Sequence, residues 1–387
     1  MKNVLTAGAA LLLTTTIAQA GGLDRSGQGV GIIFEEGNLV QLSFGYISPE
    51  VSGETVNAVG MAPPGQESGN MASAYAQFGG GIKYAYSDQI DVALIIDQPY
   101  GANVDYSDAD PFYYSGPATA EVNSTAITAL GRYKLDDNIS FHGGVRFQTV
   151  QTSVELPRPA SYTLDSESSS GVGFVLGAAY EIPSIALRVA LTYSSKITHD
   201  IKTTENCIVT APPQPALPPQ PAFCADATTT TTIDTPESIN LDFQTGIAED
   251  TLLFGSIRYA KWTQFDFKPA GYEAITGGDS LQSYDEDTFA YSVGIGRRLS
   301  DSLSAAVSVG YEAAQGGYAG NLGPTDGNIS VGLGGTYTAA DYKFTAGVRY
   351  IMIGDADTEN PAAPGTVGSE FRDNSAIAFG MQISRSF

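Results

Sequence analysis

The chain has 387 residues with 19 Lys+Arg against 42 Asp+Glu, a formal charge of −23. That excludes a nucleic-acid binder, which needs a basic face. Glycine (44) and tyrosine (21) are abundant, only 16% of residues are charged and the mean hydropathy is −0.05, with no long apolar run beyond the first residues. This excludes a bundle of membrane helices but suits a transmembrane barrel, whose strands alternate lipid-facing and lumen-facing side chains.

At the N-terminus, Lys2 is followed by the apolar run AGAALLL, Ala7 to Leu13, and by the small-residue exit Ala18-Gln19-Ala20. Residues 1–20 thus have the plan of a cleaved secretory signal peptide. The apolar core falls well short of the roughly 20 residues a spanning helix needs, so the mature chain is expected to start at Gly21. Residues 21–38, GGLDRSGQGVGIIFEEGN, then lead to the first strand.

From there the chain alternates apolar with small or polar residues over runs longer than the usual globular strand. The expected strands are 38–49, 72–87, 90–101, 121–135, 139–154, 167–181, 185–200, 234–248, 251–268, 286–299, 302–315, 327–339, 341–355 and 371–387. In 302–315, Leu303, Ala305, Val307, Val309 and Tyr311 share one face, while Ser304, Ser308, Gly310 and Glu312 share the other. In 341–353, Tyr342, Phe344, Ala346, Val348 and Tyr350 oppose Lys343, Thr345, Gly347 and Arg349. The last strand does the same with Ile377, Phe379, Met381, Ile383 and Phe387, so the chain ends on an aromatic residue placed for the lipid–water girdle. Short turns rich in Asp and Ser separate the strands, among them YSDQ (86–89), KLDDN (134–138), LSDS (299–302) and TAAD (338–341). The expected fold is an all-β transmembrane antiparallel β-barrel of about 14 strands over 39–387, with both termini on the short-turn side. A soluble secreted β-protein would pack its apolar face inward and lack this short-long rhythm of connections.

The longest expected loop, 203–233, contains APPQPALPPQPAF (Ala211 to Phe223) and the threonine run Thr228 to Thr232. Cys207 and Cys224 fit one disulfide in an oxidising compartment, closing 16 intervening residues. The proline-stiffened segment is either a stapled lid or an undirected surface loop that the bridge protects. Zinc is a poor alternative, since His142 and His199 lack ligand spacing. No metal or cofactor is expected.

Several stretches resemble the outer-membrane transporters of long-chain fatty acids and other hydrophobic compounds, the FadL/TodX type. They are DQPYGAN (Asp97 to Asn103), TPESINLDFQTGIAEDTLLFGSIRYAKWTQFDF (Thr235 to Phe267) with the single Trp262, and the closing SEFRDNSAIAFGMQISRSF. The resemblance covers most of the chain and implies a barrel plugged by an N-terminal hatch, an external low-affinity site between loops, an inner pocket, and lateral release at a kinked strand. The sequence departs from the family pattern in two ways: the hatch has only residues 21–38, and the usual Asn-Pro-Ala motif is absent. Pro99, with Tyr100 beside it, removes a ladder donor in the third strand and is the candidate for the kink. A C-terminal aromatic, here Phe387, is similar to the signal read by the barrel-assembly machinery.

A path for amphipathic ligands needs apolar walls and, for a carboxylate, a cation inside. Parity points Arg146, Arg258 and Arg349 into the lumen, about seven or eight residues above their turns, which places them near one level. Together they form either a carboxylate-binding belt or structural pairs with inward acids such as Asp242. The hatch residues Leu23 and Arg25 are candidates for the inner pocket. For an external site the candidates are Leu156, Pro157, Pro159, Tyr162 and Leu164, Leu217 and Phe223 in the proline loop, and PFYY (Pro111 to Tyr114). The acidic groups Asp105, Asp108 and Asp110, and Asp285, Glu286 and Asp287, read as solvated loops or as ligands for divalent cations at the lipopolysaccharide surface.

The expectation is therefore a monomeric passive transporter in the outer membrane of a Gram-negative bacterium, with lipid and lipopolysaccharide as surroundings and a long-chain fatty acid as ligand. A general diffusion porin is the alternative, and the short hatch favours it somewhat. An enzyme is not expected, because no Ser/His/Asp arrangement is in place.

Overall fold

The computed structural model describes residues 22–60, 62–158, 161–207 and 227–387. Fourteen antiparallel strands form a closed barrel. In chain order they are β1 (Leu39–Glu50), β2 (Tyr75–Ala85), β3 (Ile90–Asp97), β4 (Thr119–Lys134), β5 (Ile139–Leu156), β6 (Ser169–Ile182) and β7 (Leu187–Ser194). There follow β8 (Ser238–Ala248), β9 (Thr251–Ala260), β10 (Thr288–Arg298), β11 (Leu303–Glu312), β12 (Asn328–Ala339), β13 (Tyr342–Ile353) and β14 (Ser375–Ser386). The sheet closes where β1 pairs with β14, from Leu39↔Ser386 to Glu50↔Ser375. Closure removes the end edges of the sheet.

The alternation in the sequence becomes a two-sided wall. On β10, Phe289, Tyr291, Val293 and Ile295 are exposed outward while Thr288, Ala290, Gly294 and Gly296 are covered from within or half-covered. Such a ring of exposed apolar side chains is costly in water and favourable in lipid. Phe387 stands exposed at its lower end, its amide donating to the Asn38 carbonyl at 3.2 Å. The turns at this end are held by local side-chain bonds, such as Asp136 accepting from the amides of Asn138 (2.8 Å) and Ile139 (2.7 Å).

Three expected strands are interrupted. The third ends at Asp97 and resumes as Gly101–Asp105, with Pro99 in the break. The ninth ends at Ala260, and a 3-10 turn, Trp262–Gln264, carries the chain over the lumen. The seventh ends at Ser194, and a new strand, Ile197–Asn206, rises above it to pair with Ala227–Thr235 and Tyr162–Ser166. Residues 203–206 and 227–233, expected as loop, are therefore sheet. Residues 208–226, which hold Leu217, Phe223 and Cys224, lie outside the described residues, as do Pro159 and residues 1–20, expected as a signal peptide. Cys207 is disulfide-bonded.

Two further pieces cover the extracellular end. Gly53–Thr55, Tyr318–Ala319, Ala356–Glu359 and Val367–Phe371 form a small four-stranded sheet, and Ala270–Thr276 is a short helix. Inside the lumen, residues 22–38 run as the hatch and include a 3-10 turn, Gly31–Phe34. Val30, Ile32, Ile33 and Phe34 bury themselves against Leu39, Ala93, Leu130, Val175, Ala179 and Ala190 of the wall.

Candidate functional site

Short as it is, the segment 22–38 is joined to the inner wall through many of its side chains. The Phe34 ring lies between the guanidinium groups of Arg132 (4.8 Å) and Arg188 (4.9 Å), with the His142 ring edge-on at 5.4 Å. Cations over an aromatic face attract its quadrupole, more so when desolvated. Around them Asp91 collects Lys83 (2.8 Å), Lys134 (3.0 Å) and Arg132 (3.9 Å), and Arg132 also pairs with Glu181. Lys83 donates to the hatch carbonyls of Glu35 (2.8 Å) and Gly37 (2.9 Å).

At mid-height two of the three predicted arginines meet on the hatch. Arg258 holds Asp24 through Nε (2.7 Å) and Nη2 (2.5 Å), and it donates to the Gly27 carbonyl at 3.1 Å. Arg146 donates to Gln28 and to Thr128 Oγ1 (2.9 Å), while Gln28 reaches the Tyr100 hydroxyl (2.5 Å). Asp242, expected as an arginine partner, lies within the charge influence of Arg188 and Arg258, while the close ion pair to Arg258 is made by Asp24 of the hatch. Arg349 instead donates to Ser330 on the adjacent strand at 3.3 Å. The hatch is also stitched to the kink: the Arg25 amide donates to the Pro99 carbonyl (2.7 Å), and the Gly101 amide donates to the Leu23 carbonyl (2.9 Å). Trp262 sits over this junction, edge-on to Tyr100 at 5.7 Å.

Above the hatch lies a cavity of about 690 Å³. Its body is apolar, with Ile47, Val51, Met71, Val104, Val154, Phe265, Phe267 and Leu281 among the lining, and Leu23 and Arg25 of the hatch line it too. Arg25 lies over the Tyr75 ring (3.9 Å) and donates to Asn103 Oδ1 (2.5 Å). Polar side chains such as Asn103, Thr152, Gln282 and Asn328 stand among these apolar ones, and a cavity of this size and mixed lining suits a small organic ligand. Toward the mouth the lining acids are Asp285, Glu286, Glu312, Asp326, Asp355 and Asp357, against Arg25 and Arg372 as the only lining bases among the described residues.

The wall itself is open beside the hatch. β2 and β3 pair only from Gly80↔Ile96 to Ala85↔Asp91, so the upper part of β2, Tyr75 to Gly79, has β1 on one side and no partner strand on the other. The Gln98 side chain stands in for one, its Oε1 accepting from the Phe78 amide at 2.8 Å. An inner cavity of about 130 Å³, lined by Ser26, Gly29, Ile32 and Glu35 of the hatch, meets this gap from within. A cavity of about 550 Å³, lined by Leu42, Met381 and Ile383, meets it from the lipid-facing side. Both share Ser43, Phe44, Phe78, Gly79, Asp97 and Gln98. Sequence reasoning named Pro99 but missed Gly79-Gly80-Gly81 on the facing strand, a run of glycines inside a strand that marks close backbone approach. A Cβ at Gly79 would meet Ser43 Oγ at 2.9 Å, and one at Gly80 would meet the Gln41 carbonyl at 2.7 Å.

The loop candidates change character. Tyr162 and Leu164 are not an exposed patch: their strand turns them inward, where both are fully buried and Leu156 packs partly buried against them. The Tyr162 hydroxyl donates to Glu205 at 2.8 Å, and the Tyr272 amide donates to the same carboxylate at 3.0 Å, pinning the short helix to the wall. Burial, together with the Glu205 carboxylate beside it, raises the Tyr162 phenol above its ordinary range. Of PFYY, Tyr113 is buried and stacked on Tyr106 (5.6 Å) while Phe112 is exposed.

A fourteen-stranded barrel with a lipid-facing band, an internal hatch and a gap in its wall defines an outer-membrane transport channel. The sequence matches the outer membrane protein transport protein family (OMPP1/FadL/TodX) over residues 32–387, and the chain belongs to that family of outer-membrane transporters of hydrophobic compounds. Its fold is similar to the crystal structure of a Pseudomonas aeruginosa FadL homologue, at 15% identity over 100% of this chain and 99% of that one, with a TM-score of 0.76. It is similar as well to the Pseudomonas putida toluene transporter TodX (10% identity, 95% of each chain, TM-score 0.62). A third likeness is to the CymD monoaromatic hydrocarbon channel (12% identity, 100% of this chain and 99% of that one, TM-score 0.58). Among curated proteins none matches this sequence.

Proposed function

We propose that a hydrophobic compound enters the 690 Å³ cavity from outside and leaves sideways into the membrane through the gap between β2 and β3. The observation that carries this reading is the broken ladder with a cavity on each side of it and Gln98 between. A ligand that prefers lipid gains by leaving at that height rather than crossing to water below. The hatch argues against a general diffusion porin, since its buried contacts to the wall stand in the lumen beneath the cavity.

For the compound itself, a long-chain fatty acid is supported by Arg25, a hatch cation on the cavity lining whose planar fork suits a carboxylate. A neutral aromatic hydrocarbon is the second reading. It is supported by the acidic mouth, where Arg372 is already engaged by Asp357, Glu370 (3.5 Å) and Asp355 (4.0 Å), and by relatives described as toluene or monoaromatic hydrocarbon channels. The test is uptake of labelled oleate, toluene and sucrose by cells lacking their own transporters, with and without the protein. Oleate or toluene entry without sucrose identifies the compound class, and sucrose entry alone sinks the transport reading.

A further inference from the structure

The threonine run has no part in the path just described, yet it belongs to a regular two-stranded surface above the lipid-facing band. Residues 197–206 and 227–235 pair so that Thr198↔Asp234, Asp200↔Thr232, Lys202↔Thr230 and Thr204↔Thr228 all point outward. The same strands bury Ile197, His199, Ile201 and Ile233 on their inner face. Directly below, the outward face of the same wall is apolar: Val172, Phe174, Leu176, Leu191 and Ile239 are exposed. Over a few residues the outside of one continuous sheet thus changes from hydrocarbon-like to hydroxyls and charges. At about 3.3 Å per residue, the polar stretch rises on the order of 25 Å along the strands.

At the boundary stands a row of groups suited to phosphate. Lys196 reaches Asp234 (2.6 Å), Lys261 reaches Glu237 (3.2 Å), and Tyr193 donates to the other Glu237 oxygen (2.7 Å). Lys202 stands higher, paired with Glu167 at 2.7 Å. Among the described residues the lysines of the extracellular side are these three and Lys268, so in a chain of charge −23 they are gathered on one arc. Each ammonium has three donors and gives its carboxylate one. The Lys196 and Lys202 side chains remain about half exposed, at 52% and 53%.

We propose that this wall is a docking face for lipopolysaccharide, with Lys196 and Lys261 taking the phosphates of its lipid part and the Thr198–Thr204 and Thr228–Thr232 face taking the sugars above. Position favours a phosphorylated glycolipid over an ordinary phospholipid, whose headgroup would reach the lysines but leave the tall hydroxyl face uncovered. The face is continuous with the lipid-facing band, so acyl chains, phosphates and sugars would each meet the matching layer of one sheet.

The experiment uses the full chain purified in a mild detergent and measures its affinity for rough lipopolysaccharide, for the same molecule stripped of phosphate, and for phosphatidylglycerol. The intact lipopolysaccharide is expected to bind at least ten-fold tighter than either other lipid. Lys196→Ala with Lys261→Ala should lose roughly that ten-fold, about 1.4 kcal/mol, while Lys196→Arg with Lys261→Arg keeps it. Thr230→Val with Thr232→Val, which preserves strand propensity, should weaken binding of the sugar-bearing form only. Equal affinity for phosphatidylglycerol, undiminished binding after phosphate removal, or an unchanged alanine pair would each overturn the proposal. Gel mobility of the unheated protein shows that each variant is folded, and the arginine pair keeps the test decisive if the alanine pair is not.

Discussion

The two halves of the lumen are built on opposite rules. The periplasmic half is packed: Phe34 between two arginines, Asp91 among three cations, and hatch carbonyls capped by Lys83. The extracellular half keeps a cavity of about 690 Å³ with an apolar body and a charged rim. Between them the hatch acts as floor for one and plug for the other, and the kink at Pro99 is tied to it by backbone bonds. What the difference teaches is that the exit follows from where packing stops. Around Phe34 and Asp91 charged and aromatic groups hold one another, whereas beside the hatch only two glutamine contacts cross the wall among the described residues, Gln98 Oε1 accepting from the Phe78 amide and the Gln77 side chain donating to the Gln98 carbonyl at 3.4 Å.

The comparison breaks most completely if the plug is released. Arg258→Ala leaves the fully buried Asp24 carboxylate without its partner, a change that typically costs about 3–5 kcal/mol. The hatch is expected to leave its seat, and sucrose permeability in liposome swelling should rise by an order of magnitude toward porin values. The double variant Asp24→Asn with Arg258→Met removes both charges and should restore most of the seal. Unchanged permeability in Arg258→Ala would mean that the Phe34 packing alone holds the hatch.

The next test closes the side exit and leaves the upper cavity alone. Ser43 lines the passage on both sides and faces the bare backbone of Gly79. Ser43→Trp should cut uptake roughly ten-fold while ligand still binds in the upper cavity, a separation of binding from release. Loss of both together would place the gap upstream of binding.

Much of this architecture is legible in the chain because lipid reads one face of every strand. Fourteen alternating runs, the short turns and the proline in the third strand need no tertiary information. The hatch contacts do, since Asp24 and Arg258 are 234 residues apart and nothing local announces their pairing. The polar wall was unreadable for a different reason. Threonine occupies both faces of the run from Thr228 to Thr232, outward at 228, 230 and 232 and inward at 229 and 231, so the period of two carries no hydrophobic signal. Tyr162 and Leu164 misled in the opposite sense, because apolar residues in an expected loop look exposed until a neighbouring strand, here 203–206, turns them inward.

Within the upper cavity, Arg25 separates the two ligand classes. Arg25→Ala should reduce oleate uptake several-fold, with a smaller effect on toluene, because a charge-assisted hydrogen bond, partly replaced by water when the guanidinium is removed, favours only a ligand with an acceptor. Arg25→Lys should fall between them, since an ammonium cannot reproduce both the stacking on Tyr75 and the bond to Asn103. An equal loss for oleate and toluene would assign Arg25 to the shape of the floor.

The smallest effect concerns the loop over the mouth. Asp287 lies just before β10, and burial alone would push its carboxyl upward. Hydrogen bonds from Tyr259 (2.6 Å) and from Thr263 Oγ1 (2.7 Å) and its amide (3.1 Å), with Lys261 nearby, outweigh burial and hold it below the ordinary value of 3.8. A carboxyl lowered in the folded state contributes stability that is fully present above the ordinary value and fades as pH falls through the folded one. The loop 261–287 should therefore loosen only below about pH 3.8. The site is largely solvated, so screening keeps the effect small. A thermal midpoint shift of about 1 °C between pH 6 and pH 3 is expected in excess of that shown by Asp287→Asn. Because the loop forms the roof of the cavity and the hatch its floor, an identical pH response in the variant would mean that roof and wall are held by the buried Trp262 cluster alone, as the floor is held by Phe34 and its arginines.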